Sequence, residues 1–232
     1  GNKTVGTTKV VTVTGIALGG ADAANYSVTQ PTGLTADITV RSVVLTGTRG
    51  YDGTTSAATS ILIFSNQVNG DDLTLSGTGT LAGKNVGAQL LTSTSGVLTG
   101  LALSGTDAAN YATTGGSGSV SVTARALTVT ANASSKTYDG TTTSSDVPTI
   151  TAGTLVTGDT PNFAQTFDNK NVGTSKTLTP SGTVNDGNSG NNHTVTFVSA
   201  NGGTITEKGL TVSGITASNK VYDGTTAATL NT

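Results

Sequence analysis

The chain has 232 residues, no Cys, Met or Trp, a net charge of −2 and charged side chains at only 10% of positions. A surface this poor in charge has no basic footprint for nucleic acid or an anionic membrane, and without cysteine no disulfide framework is possible. No apolar run approaches the roughly 20 residues of a membrane-spanning helix, and 4 prolines against 32 glycines exclude a collagen-like or polyproline chain.

Thr and Val favour pleated, half-buried strands and Gly supplies turns, so the composition predicts an all-β fold of many short strands. No secretory leader is legible. A chain that opens at Gly1 and contains no Met reads as a window on a longer polypeptide.

Taken in chain order, the first marker is "KTVG" from Lys3, followed by "GADAANY" ending at Tyr26. The apolar alternation of Ile38 and Val40 then changes parity after Arg41, to Val43 and Leu45. A strand keeps one face with period two, so the switch marks a break. "YDGTT" follows, with Tyr51, Asp52 and Gly53. Next come "NGDDLT" with Asp71 and Asp72, "KNVG" from Lys84, and "GTDAANY" ending at Tyr111.

The same parity switch follows Arg125, from Val120 and Val122 to Leu127 and Val129. The series then restarts: "YDGTT" with Tyr138, Asp139 and Gly140, "TGDTPN" with Asp159, and "KNVG" from Lys170. The third D-A-A-N-Y degenerates to "NDGNSGNNHTV", where His193 or Val195 stands for the tyrosine. A last switch follows Glu207, and a final "YDGTT" carries Tyr222, Asp223 and Gly224.

The Y-D-G-T-T copies are spaced 87 and 84 residues apart. That period suits a complete small β-domain better than a solenoid coil. The switches divide the chain into 1–41, the C-terminal part of a truncated repeat; 42–125 and 126–208, two complete β-sandwich repeats; and 209–232, the N-terminal part of a further repeat. Joints as short as "RS", "RA" and "EKG" restrain rotation. An Asp, two small residues and a Tyr entering a strand resemble the tyrosine corner of immunoglobulin-like sandwiches. The expected architecture is tandem small immunoglobulin-like β-sandwich modules stacked end to end as a semi-rigid rod.

The repeated letters admit two readings. Asp-Gly is a turn dipeptide, so Y-D-G-T-T reads as a turn anchored by a buried Tyr, with Thr hydroxyls satisfying backbone groups. The other reading makes its Asp a metal ligand or general base. Catalysis needs convergent partners, and one His, one Glu and no Cys leave triads, zinc spacings and nucleotide loops without ingredients. No enzyme activity and no cofactor are expected. Asp71, Asp72 and Asp159 are calcium candidates, but one or two carboxylates per copy fall short of the six to eight oxygens calcium takes. The recurrent Lys3, Lys84 and Lys170 read as salt-bridge or isopeptide candidates.

Taken together, "LTVSGITASNKVYDGTTAATL", "GKNVG", "LSGTDAANY" and "PTGLTADITV" resemble the YDG-type repeats of very large bacterial secreted adhesins. The resemblance implies a haemagglutinin-like, two-partner-secretion exoprotein, secreted or held at the bacterial surface. The repeats would form a stalk or fibre supporting adhesion or biofilm formation. Their partners would be neighbouring repeats, other copies in a fibre, and a host surface or glycan. The alternative is a glycan- or protein-binding module using loops at one end of each sandwich.

Overall fold

A computed structural model describes residues 2–231, and its regular structure is all strand apart from short 3-10 turns. Packing divides the chain into two units. The first runs to Ala126 and also takes in Leu155–Thr160 and Val184–Thr194. The second comprises Leu127–Thr154, Pro161–Thr183 and the residues from Val195 on.

The strands in chain order are β1 (Gly6–Val10), β2 (Thr35–Ile38), β3 (Arg41–Gly50), β4 (Ser56–Ala58), β5 (Leu62–Phe64), β6 (Thr74–Thr80), β7 (Gly87–Leu90), β8 (Ser93–Thr94), β9 (Val97–Leu98), β10 (Leu101–Ser104) and β11 (Tyr111–Thr123). They continue as β12 (Arg125–Thr130), β13 (Ser134–Thr137), β14 (Thr149–Ala152), β15 (Thr160–Phe167), β16 (Gly173–Asn185), β17 (His193–Val198), β18 (Ala200–Thr206), β19 (Thr216–Ala217) and β20 (Leu230–Asn231). Strands end at Ile38 and Thr123 and restart at Arg41 and Arg125. These are the points where the apolar alternation changes parity, because a strand that must turn its other face to the core has to be interrupted.

In the first unit β5, β3, β11, β9 and β8 lie side by side, with β7 also on β11, and a second sheet has the order β10-β6-β4. The long first and last strands of this repeat, β3 and β11, run parallel, with Arg49 opposite Val122 and Gly50 opposite Thr123. Their inward residues Val43, Leu45, Val120 and Val122 are buried together with Leu81, Leu98, Tyr51 and Tyr111. Gly77 lets β6 and β10 pair closely: its φ is +94° and a Cβ there would lie 2.1 Å from the Gly100 carbonyl oxygen. The described residues 2–40 of this unit add the antiparallel β1–β2 pair and a 3-10 turn over Ala23–Asn25, and Val10, Ile16, Leu18 and Tyr26 are exposed.

The second unit carries the sheets β14-β12-β17 and β13-β18-β16-β15. Its core is small: Leu127, Val129, Ala131, Phe167, Leu178 and Ile205 are buried. Buried polar groups extend it. Gln165 brackets Asn132, accepting from its N–H at 2.9 Å and donating to its carbonyl at 2.8 Å. Lys176, buried along its stem, reaches Asp168 at 3.1 Å. The described residues 209–231 are exposed and carry the β19–β20 pair.

Candidate functional site at the Y-D-G-T turns

The three Y-D-G-T turns have one geometry. Asp52, Asp139 and Asp223 each use Oδ1 to accept from the N–H of the Thr two residues on, at 2.9, 2.9 and 3.0 Å. The hydroxyl of the same Thr donates to the same oxygen in every copy. The glycine between sits at φ +77°, +81° and +71°, a left-handed conformation that a side chain disfavours.

A cation closes each turn from three residues before the Asp. Arg49 Nη1 lies 2.7 Å from Asp52, and Lys136 and Lys220 Nζ each lie 2.8 Å from Asp139 and Asp223. The same cations bond the carbonyls of Thr54, Thr141 and Thr225. Arg49 therefore fills the place that lysine holds in the other copies. The Lys136 ammonium, with the Thr141 N–H and hydroxyl, holds the Asp139 carboxyl down at about 2. Lys220 and Thr225 lower Asp223 in the same way.

The turns differ in what their tyrosine meets. Tyr51 is 1% exposed, whereas Tyr222 is 93% exposed. The Tyr51 N–H donates to the Thr123 carbonyl at 2.8 Å, and its hydroxyl lies 3.3 Å from Asp159 Oδ1. Its ring meets His193 edge to face, with centroids 5.5 Å apart. Burial raises the Tyr51 hydroxyl, and the Asp159 charge adds to the rise. Tyr138 repeats the backbone bond, donating to Thr206 O at 2.8 Å.

Two corners, both within the first unit, complete the picture. In "GTDAANY" a 3-10 turn over Ala108–Asn110 leads into Tyr111, which opens β11. The Tyr111 hydroxyl donates to Asp71 Oδ2 at 2.8 Å and accepts from the Val68 N–H at 2.8 Å. In an immunoglobulin tyrosine corner the partner lies a few residues upstream; here it lies 43 residues back. Lys3 holds Asp71 at 2.6 Å, with Asp107 3.8 Å away. The Lys3 contact, then the Tyr111 hydroxyl, lower the Asp71 carboxyl.

The degenerate copy rebuilds this corner around Asp186. That carboxylate accepts the N–H groups of Asn188, Gly190 and Asn192 at 2.7, 2.9 and 2.8 Å. Burial pushes Asp186 up, and these N–H bonds outweigh it to leave the carboxyl below its usual range. His193 occupies the tyrosine position, with Nε2 3.6 Å from Asp159 and Nδ1 3.7 Å from Asp186.

Two of the three K-x-V-G segments, those at Lys3 and Lys84, dock on these corners through a bond that sequence reading missed. Val5 N–H donates to Asn110 Oδ1 at 2.9 Å, and Val86 N–H donates to Asn192 Oδ1 at 2.9 Å. The available signal was the Asn before the aromatic position, kept in "NNH" where the tyrosine is lost. Among the described residues Lys84 and Lys170 form no ion pair, so the lysines do not share one role. Asp72 accepts from the Thr106 N–H and hydroxyl. Among the described residues no three His, Cys, Asp or Glu side chains are grouped to hold a metal.

The family model for the YDG domain matches residues 1–33, 35–118 and 123–202. The chain belongs to the YDG domain family. Comparison with curated proteins and with solved structures gave no match. In this YDG chain the name-giving triplet is thus a closed turn whose Asp is already engaged by its own Thr and a neighbouring cation.

Proposed function

We propose that these YDG repeats are structural: immunoglobulin-like β-sandwich modules following one another end to end as a semi-rigid stalk or fibre. The stalk would belong to an extracellular bacterial adhesin or surface filament, secreted or cell-surface, supporting adhesion or biofilm formation. One observation supports the reading above others. The same bond, Val N–H to Asn Oδ1, joins successive repeats twice, at Val5–Asn110 and Val86–Asn192. Letters common to the repeats close turns and latch one repeat to loops of the next, as catalytic groups facing an open cleft would not.

Small-angle scattering tests the stalk. A compact globule of 232 residues has a radius of gyration of about 17 Å. The monomeric chain is expected clearly above that, at roughly 25 Å or more. A value near the globular one overturns the stalk. Protease shaving of intact cells tests location: peptides of the chain released without lysis support surface display, and their absence refutes it.

A further inference from the structure

Repeat 42–125 has chain on both sides, so tension drawn along the polypeptide enters it at the start of β3 and leaves at the end of β11. Those two strands are neighbours and run parallel. Arg41 lies opposite Tyr111 at one end, and Gly50 lies opposite Thr123 at the other. The register is unbroken from Val44 opposite Ser117 to Gly50 opposite Thr123. β5 holds the outer edge of β3, and β7 pairs with β11.

The direction of pull decides how such a pair fails. A strand of 10 residues spans about 33 Å. The two points of pull therefore sit at opposite ends of the pair, and the force lies along the strands. Sliding β3 past β11 strains the ladder bonds together, since none opens without displacing its neighbours. A pull on two neighbouring ends would instead part the bonds one after another. A slip of one residue would also turn Val43, Leu45, Val120 and Val122 away from the core they share. Forced unfolding follows the unfolding rate, not the equilibrium stability, so a barrier that loads many bonds at once resists force.

The Y-D-G-T turn sits at the end of the pair where the chain leaves. Tyr51 directly follows β3, and its N–H donates to the Thr123 carbonyl at 2.8 Å. The Thr123 hydroxyl donates back to the Arg49 carbonyl at 3.2 Å. To slide toward its own N-terminus, β3 must draw the buried Tyr51 ring out of the core. The second complete repeat is entered differently. There β12 lies between β14 and β17, and β13 runs parallel to β18 over Ser134–Thr137 alone.

We propose that repeat 42–125 is a mechanical clamp: the parallel β3–β11 pair, pinned at its exit by Tyr51, carries tension along the chain in shear. The tension itself comes from the stalk reading, on which this role rests. A compact scattering profile removes the source of tension and leaves the resistance in place; easy unfolding in shear removes the clamp and leaves the stalk.

Single-molecule force spectroscopy on the full chain tests it, with handles on cysteines introduced into a sequence that has none. Val40→Cys with Ala124→Cys pulls along β3 and β11 and shears them. Gly50→Cys with Ala124→Cys pulls on neighbouring ends of the same pair and unzips it; Gly50 is exposed with open space for a Cβ. Matching circular dichroism and urea midpoints show that the two variants differ only in direction of pull. Shear is expected to need several-fold more force at the same loading rate, and to release roughly 250 Å of chain in a single step. Tyr51→Ala lowers the shearing force. Leu101→Ala, buried on β10 in the other sheet, lowers the urea midpoint with a smaller drop in force. Equal forces in the two directions, stepwise release in shear, or a drop at Leu101→Ala as large as that at Tyr51→Ala overturns the proposal.

Discussion

Tyr51→Ala measures what the motif tyrosine does. The ring is 1% exposed, packed with Val43, Leu45, Val122 and Val156 and meeting the His193 edge. Truncating a buried aromatic ring to alanine costs about 3–5 kcal/mol, from lost transfer energy and the cavity left behind. For a unit of this size that is a fall in Tm of about 10–15 °C. Tyr51→Phe removes only the hydroxyl bond to Asp159, worth about 1 kcal/mol. Tyr222→Ala, with the same letters around it, belongs within about 0.5 kcal/mol of wild type while the chain is monomeric, because the ring touches almost nothing. Urea unfolding followed by circular dichroism gives the three values, and amide exchange at Val120 and Val122 locates the loss. A Tyr51→Ala cost below about 1 kcal/mol, or an equal cost at Tyr222, refutes the assignment of this tyrosine to the core.

Asn192→Ala removes the acceptor for Val86 N–H and the donor to Asn85, both inside a buried contact; a loss of about 1–3 kcal/mol is expected, with the Val86 amide exchanging faster while Val5, held by Asn110, is unchanged. Asp139 gives a pH test: its folded pKa is about 2 against an ordinary carboxyl value of 3.8, so the turn's contribution is full above about pH 4 and is lost as pH falls through about 2. Carboxyl chemical shifts followed by NMR report this titration. Lys136→Met moves it upward, because the lysine contact is the largest cause of the depression.

Much of the fold was legible because strand alternation is a strict period. The parity switches at Arg41 and Arg125 predicted breaks within three residues of where the strands stop. The turns were legible for the same kind of reason: Asp-Gly-Thr has few ways to satisfy its polar groups. The partner of each motif was not legible. That Tyr51 meets Asp159 and His193, more than a hundred residues on, depends on loops whose spacing carries no periodic signal. The assignment of Leu155–Thr160 and Val184–Thr194 to the first unit has the same cause, since sequence placed them in repeat 126–208. Arg49 stands where the other turns have lysine, and reach and charge rather than the letter decide which side chain closes the turn.

The two corners show how far letters can drift while a joint keeps its geometry. At the first, a phenol donates to Asp71, and Lys3 balances that carboxylate. At the second, an imidazole lies between Asp159 and Asp186, its two nitrogens 3.6 and 3.7 Å from their carboxylates. Lys84 sends no charge to this corner, and Asp186 draws three backbone N–H groups instead. Tyrosine and lysine have thus given way to histidine and to a loop of amides gathered on a second carboxylate, Asp186. What stays fixed is the pair that neither exchange touches: an asparagine oxygen before the aromatic position and a valine N–H that donates to it. A main-chain donor is indifferent to its own side chain, so this latch survives when the letters around it change.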